Sequence, residues 1–266
     1  MTQTTWLAVS ALLALVPASL LPFRGAPRRD AVYWLLLAVA TVGPIVWLAA
    51  VFAPGWRTGL SPALIVTLAA TLLIFAGLAV STREAWRLTP LLLPYLLLVG
   101  IIAAIWQHQP ERPVMATAPS AWIEFHILVS IIAYGLLTVG AVAGLAVFLQ
   151  ERALKSKRRG PLNRMLPSVA DSEEMQVRLL AASAVVLAVG ILSGMVTEYF
   201  ETGTVLSFTH KIAFTILTFC VLVGLVWAHY RTGMRGRRAA RGVLLAWLLL
   251  TLAYPGVKFV TDVLLA

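Results

Sequence analysis

Histidine is the residue type in this chain that is best suited to bind a metal ion or a haem. There are four histidines, His108, His126, His210 and His229. His126 and His210 each stand near the start of a long apolar stretch. His210 and His229 lie 19 residues apart in one apolar stretch, or about 28 Å along a helix, so they cannot bind the same group. The functional question is whether His126 and His210 lie at the same membrane face.

Two imidazoles at neighbouring helix ends can hold a b-type haem as its axial ligands. Aromatic residues that could line a flat apolar slot lie close to both histidines: Trp122, Phe125, Tyr199, Phe200 and Phe208. Lys211 and Arg112 could neutralise the haem propionates. We therefore predict His126 and His210 as haem ligands, with Trp122, Phe208 and Lys211 as the haem surroundings.

Other interpretations of these histidines remain open. An amphipathic ring at a membrane interface can simply keep its polar edge among the lipid headgroups. A zinc site usually needs a third Cys, His or carboxylate ligand, and the candidates are Glu124, Glu198 and Glu201. We interpret His108 as a solvated loop residue. We place His229, in the segment WAHYR, within an interfacial belt of aromatic and basic residues.

The composition indicates an integral membrane protein. The 266 residues are 60% hydrophobic and 12% charged, whereas soluble domains carry about 25% charged residues. Apolar runs long enough to span a bilayer lie at residues 5–23, 31–52, 63–80, 88–106, 122–149, 179–197, 210–230 and 242–260. Only helices and closed barrels satisfy their backbone groups in lipid. We predict an all-α bundle of eight transmembrane helices in a single domain, residues 1–266.

The basic residues predict the orientation of this bundle. The net charge is +10, but 17 of the 21 Lys and Arg residues fall in alternate loops, after the first, third, fifth and seventh spans. This pattern is a topology signal rather than a sign of nucleic-acid binding. It places both termini outside, which is the periplasmic side of a bacterial inner membrane. His126 and His210 would then both lie at the outer ends of their spans.

Several polar and small residues have structural explanations. Gly140 and Gly144, like Gly190 and Gly194, form small-xxx-small patterns that let helices approach closely. The Tyr134 hydroxyl needs a hydrogen-bond partner in the core. An acidic segment, residues 171–174, predicts a short interfacial helix leading into the sixth span.

The sequence contains few signatures of an enzyme. It has no Gly-rich phosphate loop, no HExxH segment and no ionisable residue in the middle of a predicted span. Ion-coupled transport usually needs such buried ionisable groups. We therefore expect a binding or accessory protein and no catalytic residues.

Several segments resemble the cytochrome c assembly family of membrane proteins, which includes CcsA, CcmC and HemX-like proteins, and within it the YpjD branch. The first segment is HILVS at 126–130, followed by AYG at 133–135 and a Gly/Ala-rich run. The others are FTHK at 208–211, AHYR at 228–231 with GRR at 236–238, and residues 254–259. The resemblance covers about residues 121–259. It implies haem handling on the outer face, with an external haem ligand at the position of His126.

The chain departs from the family in one loop. The resemblance implies a tryptophan-rich loop with a Trp-Asp pair between the sixth and seventh spans, whereas residues 198–208 contain neither tryptophan nor aspartate. The motif that presents haem to apocytochrome is therefore missing. We predict an inner-membrane haem-binding accessory protein of cytochrome c assembly or haem metabolism, with other membrane or cytochrome c maturation proteins as partners. The alternative is a scaffold or accessory subunit, without haem, of another membrane protein such as a metal transporter.

Overall fold

The computed structural model describes residues 3–24, 28–53, 55, 57–107, 112–113, 119–157, 160–204 and 209–260. Within them the helices are α1 (Gln3–Leu20), α2 (Ala31–Phe52), α3 (Leu60–Ser81), α4 (Thr89–Ile105), α5 (Ser120–Lys155), α6 (Pro161–Met165), α7 (Val169–Thr202), α8 (His210–Thr232), α9 (Gly236–Thr251) and α10 (Val257–Phe259). Short 3-10 turns cover Leu21–Arg24 and Ala85–Leu88, and a π-helical turn at Leu252–Gly256 joins α9 to α10. Two-residue strands, β1 (Arg57–Thr58) and β2 (Arg112–Pro113), pair antiparallel.

Eight segments of the described chain are helical, long and apolar enough to cross a membrane. They comprise α1 to α5, α7, α8, and the continuous run from α9 to α10. Each overlaps one predicted span, so the prediction of an all-α polytopic membrane bundle is confirmed. The orientation of the termini stays a prediction.

The acidic segment does not form a separate interfacial helix. Instead, α7 runs without a break from Val169 to Thr202. Its N-cap is Ser168, whose hydroxyl accepts a hydrogen bond from the Asp171 backbone N–H. Asp171 lies in the first turn, where a carboxylate interacts favourably with the helix dipole. The prediction was wrong because this segment lies inside a spanning helix that begins at Val169.

Helix α5 is the centre of the bundle and packs against α3, α7 and α9. In its most apolar stretch 78% of the residues are buried, compared with 11% for α8, which lies at the periphery. The small-xxx-small patterns explain the close packing of α5 on α7. A Cβ at Gly140 would lie 3.3 Å from the Leu179 Cβ, so a larger residue would force the two helices apart.

Antiparallel packing brings one end of α5 to the same level as the ends of its neighbours. The start of α5, the end of α7 and the start of α8 lie together at one end of the bundle, and His126 lies there. The end of α5 and the starts of α7 and α9 lie at the opposite end. The fold therefore creates two polar regions, one at each end of α5.

Candidate functional site

His126 lies on α5, two turns from its start, and its half-buried ring packs on α7. The contact depends on Gly194, because a Cβ at this position would lie 3.0 Å from the Cε1 atom of His126. Gly190, one turn earlier on α7, lines the same region. The predicted helix-packing pattern at Gly190 and Gly194 therefore forms the surface on which the imidazole rests.

Ser193 fixes the orientation of this imidazole. The Ser193 hydroxyl donates to the Gly190 carbonyl at 3.0 Å and lies 2.8 Å from the Nδ1 atom of His126. A serine hydroxyl has a single proton. With that proton on the Gly190 carbonyl, Nδ1–H of His126 is the donor and the Ser193 oxygen accepts. This assignment leaves the lone pair on Nε2, which makes Nε2 the nitrogen available to a ligand.

Trp122, four residues before His126, adds a second contact between α5 and α7. Its indole N–H donates to the Ser193 carbonyl at 3.2 Å, and its ring lies 5.8 Å from the ring of Phe125. Residues four apart on a helix lie on the same face. Trp122 therefore anchors the turn of α5 that carries His126.

Two cavities meet at His126. The deeper one, of about 160 Å³, runs from His126 toward the middle of the bundle. The shallower one, of about 270 Å³, extends to the end of the bundle and is lined by Glu198, Glu201 and Thr209. Both are bounded by α5, α7 and α8, and Lys211 lines both. We call these two cavities together the His126 cleft.

The floor of the deeper cavity is formed by two tyrosines, Tyr134 and Tyr254. The Tyr134 hydroxyl lies 3.1 Å from the Thr251 hydroxyl oxygen, which confirms the predicted core hydrogen bond. Tyr134 is two helical turns from His126, or about 12 Å along α5. The cleft therefore reaches well into the predicted apolar part of the bundle.

The structure brings Lys211 to His126 but does not place His210 in the cleft. His210 is the first residue of α8 and is exposed, and it lines neither cavity. On α8 the residues that line the cleft are Lys211, Ile212, Thr215 and Ile216. Successive residues of a helix project about 100° apart. These four residues therefore cover one side of α8, and His210 projects from the opposite side. The His126/His210 pair stays a prediction.

The remaining predicted residues lie elsewhere. Phe208 and His108 lie outside the described residues, as does the side chain of Arg112. Tyr199 and Phe200 are exposed near the end of α7. His229 lies in the last turn of α8, where its Nδ1 atom is 3.3 Å from the Met234 carbonyl oxygen.

The residues of the cleft suit a flat, largely apolar ligand that contains a metal. Nε2 of His126 could bind a metal, the cleft walls are largely apolar, and Lys211 supplies a positive charge, while Glu198 and Glu201 line only the shallower cavity. Zinc normally needs at least three protein ligands. Among the described residues there is no group of three or more His, Cys, Asp and Glu side chains placed to hold a metal ion. A haem fits this donor set better than a zinc ion.

Sequence reasoning missed the role of Ser193 in the site and took Gly194 as a helix-packing residue only. Both residues lie in the segment GILSG at 190–194. A serine between two glycines in an apolar helix is a weak signal, because serine is common at helix interfaces in membranes. Only the register of α5 against α7 shows that it faces a histidine.

Comparisons with known proteins show the family of this chain. The family model described as "Cytochrome C assembly protein" matches residues 30–265. The chain is 53% identical over its whole length to the 28.8 kDa protein of the nifR3-like 5' region of Azospirillum brasilense, which is also covered completely. It is 25% identical to the inner membrane protein YpjD of Escherichia coli, over 97% of this chain and 96% of YpjD. It is also 25% identical to the cytochrome c biogenesis protein CcsA of a Synechococcus strain, over 57% of this chain and 58% of CcsA. The match to the family model covers more than the region from residue 121 to 259. This chain belongs to the cytochrome c assembly protein family.

Proposed function

We propose that this chain is a bacterial inner-membrane protein that binds haem for cytochrome c assembly or haem metabolism, with His126 as the protein ligand. The observation that carries the proposal is the oriented His126 imidazole in a cleft that Lys211 also lines. Membership of the cytochrome c assembly family supports it. The inner-membrane location follows the relative YpjD, which is named an inner membrane protein.

Each residue of the cleft has a defined part in holding the haem. Nε2 of His126 would bind the iron, and Ser193 would keep the imidazole in the tautomer that this requires. The Lys211 ammonium would pair with a propionate. The two cavities would receive the haem ring. When bound, the haem would supply an iron that can be oxidised and reduced.

We also propose that the chain holds and transfers haem and does not catalyse a reaction on it. Among the described residues that line the cleft there is no Cys, and the titratable groups are His126, Lys211, Glu198, Glu201 and two tyrosines. Its partners would be proteins of cytochrome c maturation or haem metabolism. They would have to present haem to this cleft or receive it from there.

A spectrum of the purified protein tests the proposal. We expect protein from haem-replete cells to show a Soret band and a b-type pyridine haemochrome. The band should be lost in His126→Ala and retained in His210→Ala, because His210 lies on the far face of α8. Loss of the band in both variants would establish the His126/His210 pair predicted from the sequence. A parent protein that stays free of haem after supplementation with a haem precursor would refute haem binding.

A further inference from the structure

A separate cavity lies at the end of the bundle opposite His126. It has a volume of about 590 Å³ and is bounded by the end of α5, the start of α9 and the turn between α8 and α9. A volume of this size is within the range of small-molecule sites, about 300–1,000 Å³. Its side chains are mostly charged: Glu151, Lys155, Thr232, Met234, Arg235, Arg237 and Arg238. We call it the basic cavity.

The four cations of the basic cavity are not neutralised by neighbouring carboxylates. Within the described part of the chain, none of Lys155, Arg235, Arg237 and Arg238 has an acidic oxygen within 4 Å of its side-chain nitrogens. The one carboxylate of the cavity, Glu151, is directed at the start of α9, where its Oε2 atom accepts from the Arg237 backbone N–H at 3.3 Å. The cavity therefore keeps an excess of positive charge.

Arg237 is fixed in place with a hydrogen-bonding group still unused. Its guanidinium lies over the ring of Phe148, 4.9 Å from the ring centre, which holds the planar group in one orientation. Its Nε atom is buried and has no hydrogen-bond partner. A buried donor without a partner costs free energy, so an acceptor bound in the cavity would stabilise Arg237. Guanidinium groups are especially suited to the oxygens of a phosphate.

The position of the cavity favours a phosphate that belongs to a lipid. Trp227 and Tyr230, in the last turns of α8, are exposed beside the turn that bounds the cavity. Exposed aromatic residues at a helix end mark the level of the lipid headgroups. The charge pattern of the loops predicts that this end faces the cytoplasm, where the leaflet carries anionic lipids.

We infer that the basic cavity binds the phosphate headgroup of an anionic phospholipid. Lys155, Arg235, Arg237 and Arg238 surround the phosphate, and the acyl chains run along the lipid-exposed surface. This site is independent of the His126 cleft and does not rest on the proposed haem function.

The test compares two pairs of charge-removing variants. The first, Lys155→Gln with Arg238→Gln, removes two exposed cations that line the cavity. The control, Arg152→Gln with Arg241→Gln, removes two exposed cations on the same helices that do not line it. Binding of short-chain phosphatidylglycerol is measured in detergent by native mass spectrometry and by the rise in thermal unfolding temperature. Phosphatidylcholine and inorganic phosphate are the comparison ligands.

We expect phosphatidylglycerol, and not phosphatidylcholine, to bind the parent and the control pair. The affinity of the cavity pair for this lipid should be lower by about tenfold or more, because each basic group near an anionic lipid contributes to the binding free energy. Equal losses in both pairs would show diffuse surface attraction and overturn the site. An equal response to inorganic phosphate would show that the cavity takes a soluble phosphate compound, and the lipid assignment would then be wrong.

A further variant covers the possibility that the cavity pair is misfolded. Arg237→Gln removes the guanidinium that lies over Phe148 and leaves both exposed cations in place. It should also lose binding of phosphatidylglycerol. A folded Arg237→Gln protein that binds this lipid as tightly as the parent would contradict the inference.

Discussion

Ser193 sets the chemistry of His126 through one hydrogen bond. A histidine that binds a metal through Nε2 usually donates its Nδ1–H to a neighbouring acceptor, and this raises the basicity of the ring. Here the acceptor is the Ser193 hydroxyl, which is itself held by the Gly190 carbonyl. The residue that orients this imidazole therefore lies on α7, whereas His126 itself lies on α5.

Replacing Ser193 by Ala should weaken haem binding without abolishing it. Without the acceptor, the imidazole is a weaker electron donor and stabilises the oxidised iron less, so the midpoint potential should rise. Loss of such an outer hydrogen bond typically costs about tenfold or more in affinity. A redox titration and the rate of haem transfer to apomyoglobin would measure both effects.

Thr197→Ala is the matched control for this change. Its hydroxyl donates to the Ser193 carbonyl and also lines the cleft, yet it does not contact His126. The control should keep the parent potential. If Thr197→Ala and Ser193→Ala shift the potential equally, the effect comes from α7 in general and the proposed role of Ser193 is wrong.

Gly194 tests the close contact between the imidazole and α7. In Gly194→Ala the new Cβ would lie 3.0 Å from the His126 ring, which should displace the ring and reduce haem retention. Alanine is also the better helix former, by about 1 kcal/mol, so the variant should not lose helix stability. Gly224→Ala on α8 is the control: it gives the same increase in helix propensity, and its Cβ has no atom within 4 Å. This variant should retain haem like the parent. Unchanged haem retention in Gly194→Ala would show that this contact is not needed.

At the residue scale the sequence predicted some partners of the site and missed others. His126 and Lys211 could be found because both are polar residues at the ends of apolar runs. A charge or an imidazole is costly in a membrane span, so such a residue indicates a functional site. His210 has the same signal, but its helical phase relative to Lys211 places it outside the cleft. That phase depends on how α8 packs on α7, and no local pattern contains this information.

Helix α9 begins between two carboxylates that come from other helices. Glu173 on α7 accepts from the Gly236 backbone N–H at 2.6 Å, and Glu151 on α5 accepts from the next N–H, that of Arg237. The first N–H groups of a helix have no partner within the helix, and negative charge is favourable there. Gly236 has a φ of +65°, a conformation that glycine adopts without strain. These contacts tie the start of α9 to α5 and α7.

Removing the Glu173 carboxylate should destabilise this junction. In Glu173→Ala the buried Gly236 N–H loses its partner, which costs about 1–3 kcal/mol. Thermal unfolding in detergent should show the loss as a lower midpoint. Glu174→Ala, which removes only an exposed ion pair with Arg178, should change the midpoint little. Equal unfolding midpoints for the two variants would show that the Glu173 contact at the start of α9 does not contribute to stability.

The spans of these elements were predictable, and their ends were less so. The apolar runs identify eight helices because a bilayer requires about 20 apolar residues per span. The long extensions of α5 and α7 beyond the apolar runs were not predicted, since residues 150–155 were interpreted as a loop and residues 171–174 as a separate short helix. They are helical because Gln150 donates to the Asn163 and Pro167 carbonyls and because Ser168 caps α7. The Gln150 hydrogen bonds are tertiary contacts and the Ser168 cap is a local backbone contact, and neither can be predicted from hydrophobicity.

At the scale of the whole molecule, the two polar regions lie at opposite ends of α5. About 25 residues separate His126 from Glu151, which is close to 37 Å along a helix and more than the roughly 30 Å thickness of the hydrocarbon core. The His126 cleft and the basic cavity must then lie near opposite faces of the membrane. The distribution of Lys and Arg predicts that the basic cavity lies inside and the cleft outside.

Cysteine labelling in intact cells tests this orientation directly. In a Cys220→Ser background, which removes the single native cysteine, Glu201→Cys marks the cleft end and Lys157→Cys marks the other end; both positions are exposed. We expect a membrane-impermeant maleimide to label Glu201→Cys in spheroplasts. Lys157→Cys should react only after the membrane is opened. The opposite pattern would place His126 on the cytoplasmic side, and the cleft could then only receive haem from the cytoplasm. With the expected pattern, His126 faces the periplasm, and a haem bound in the cleft would be reached from that side of the membrane.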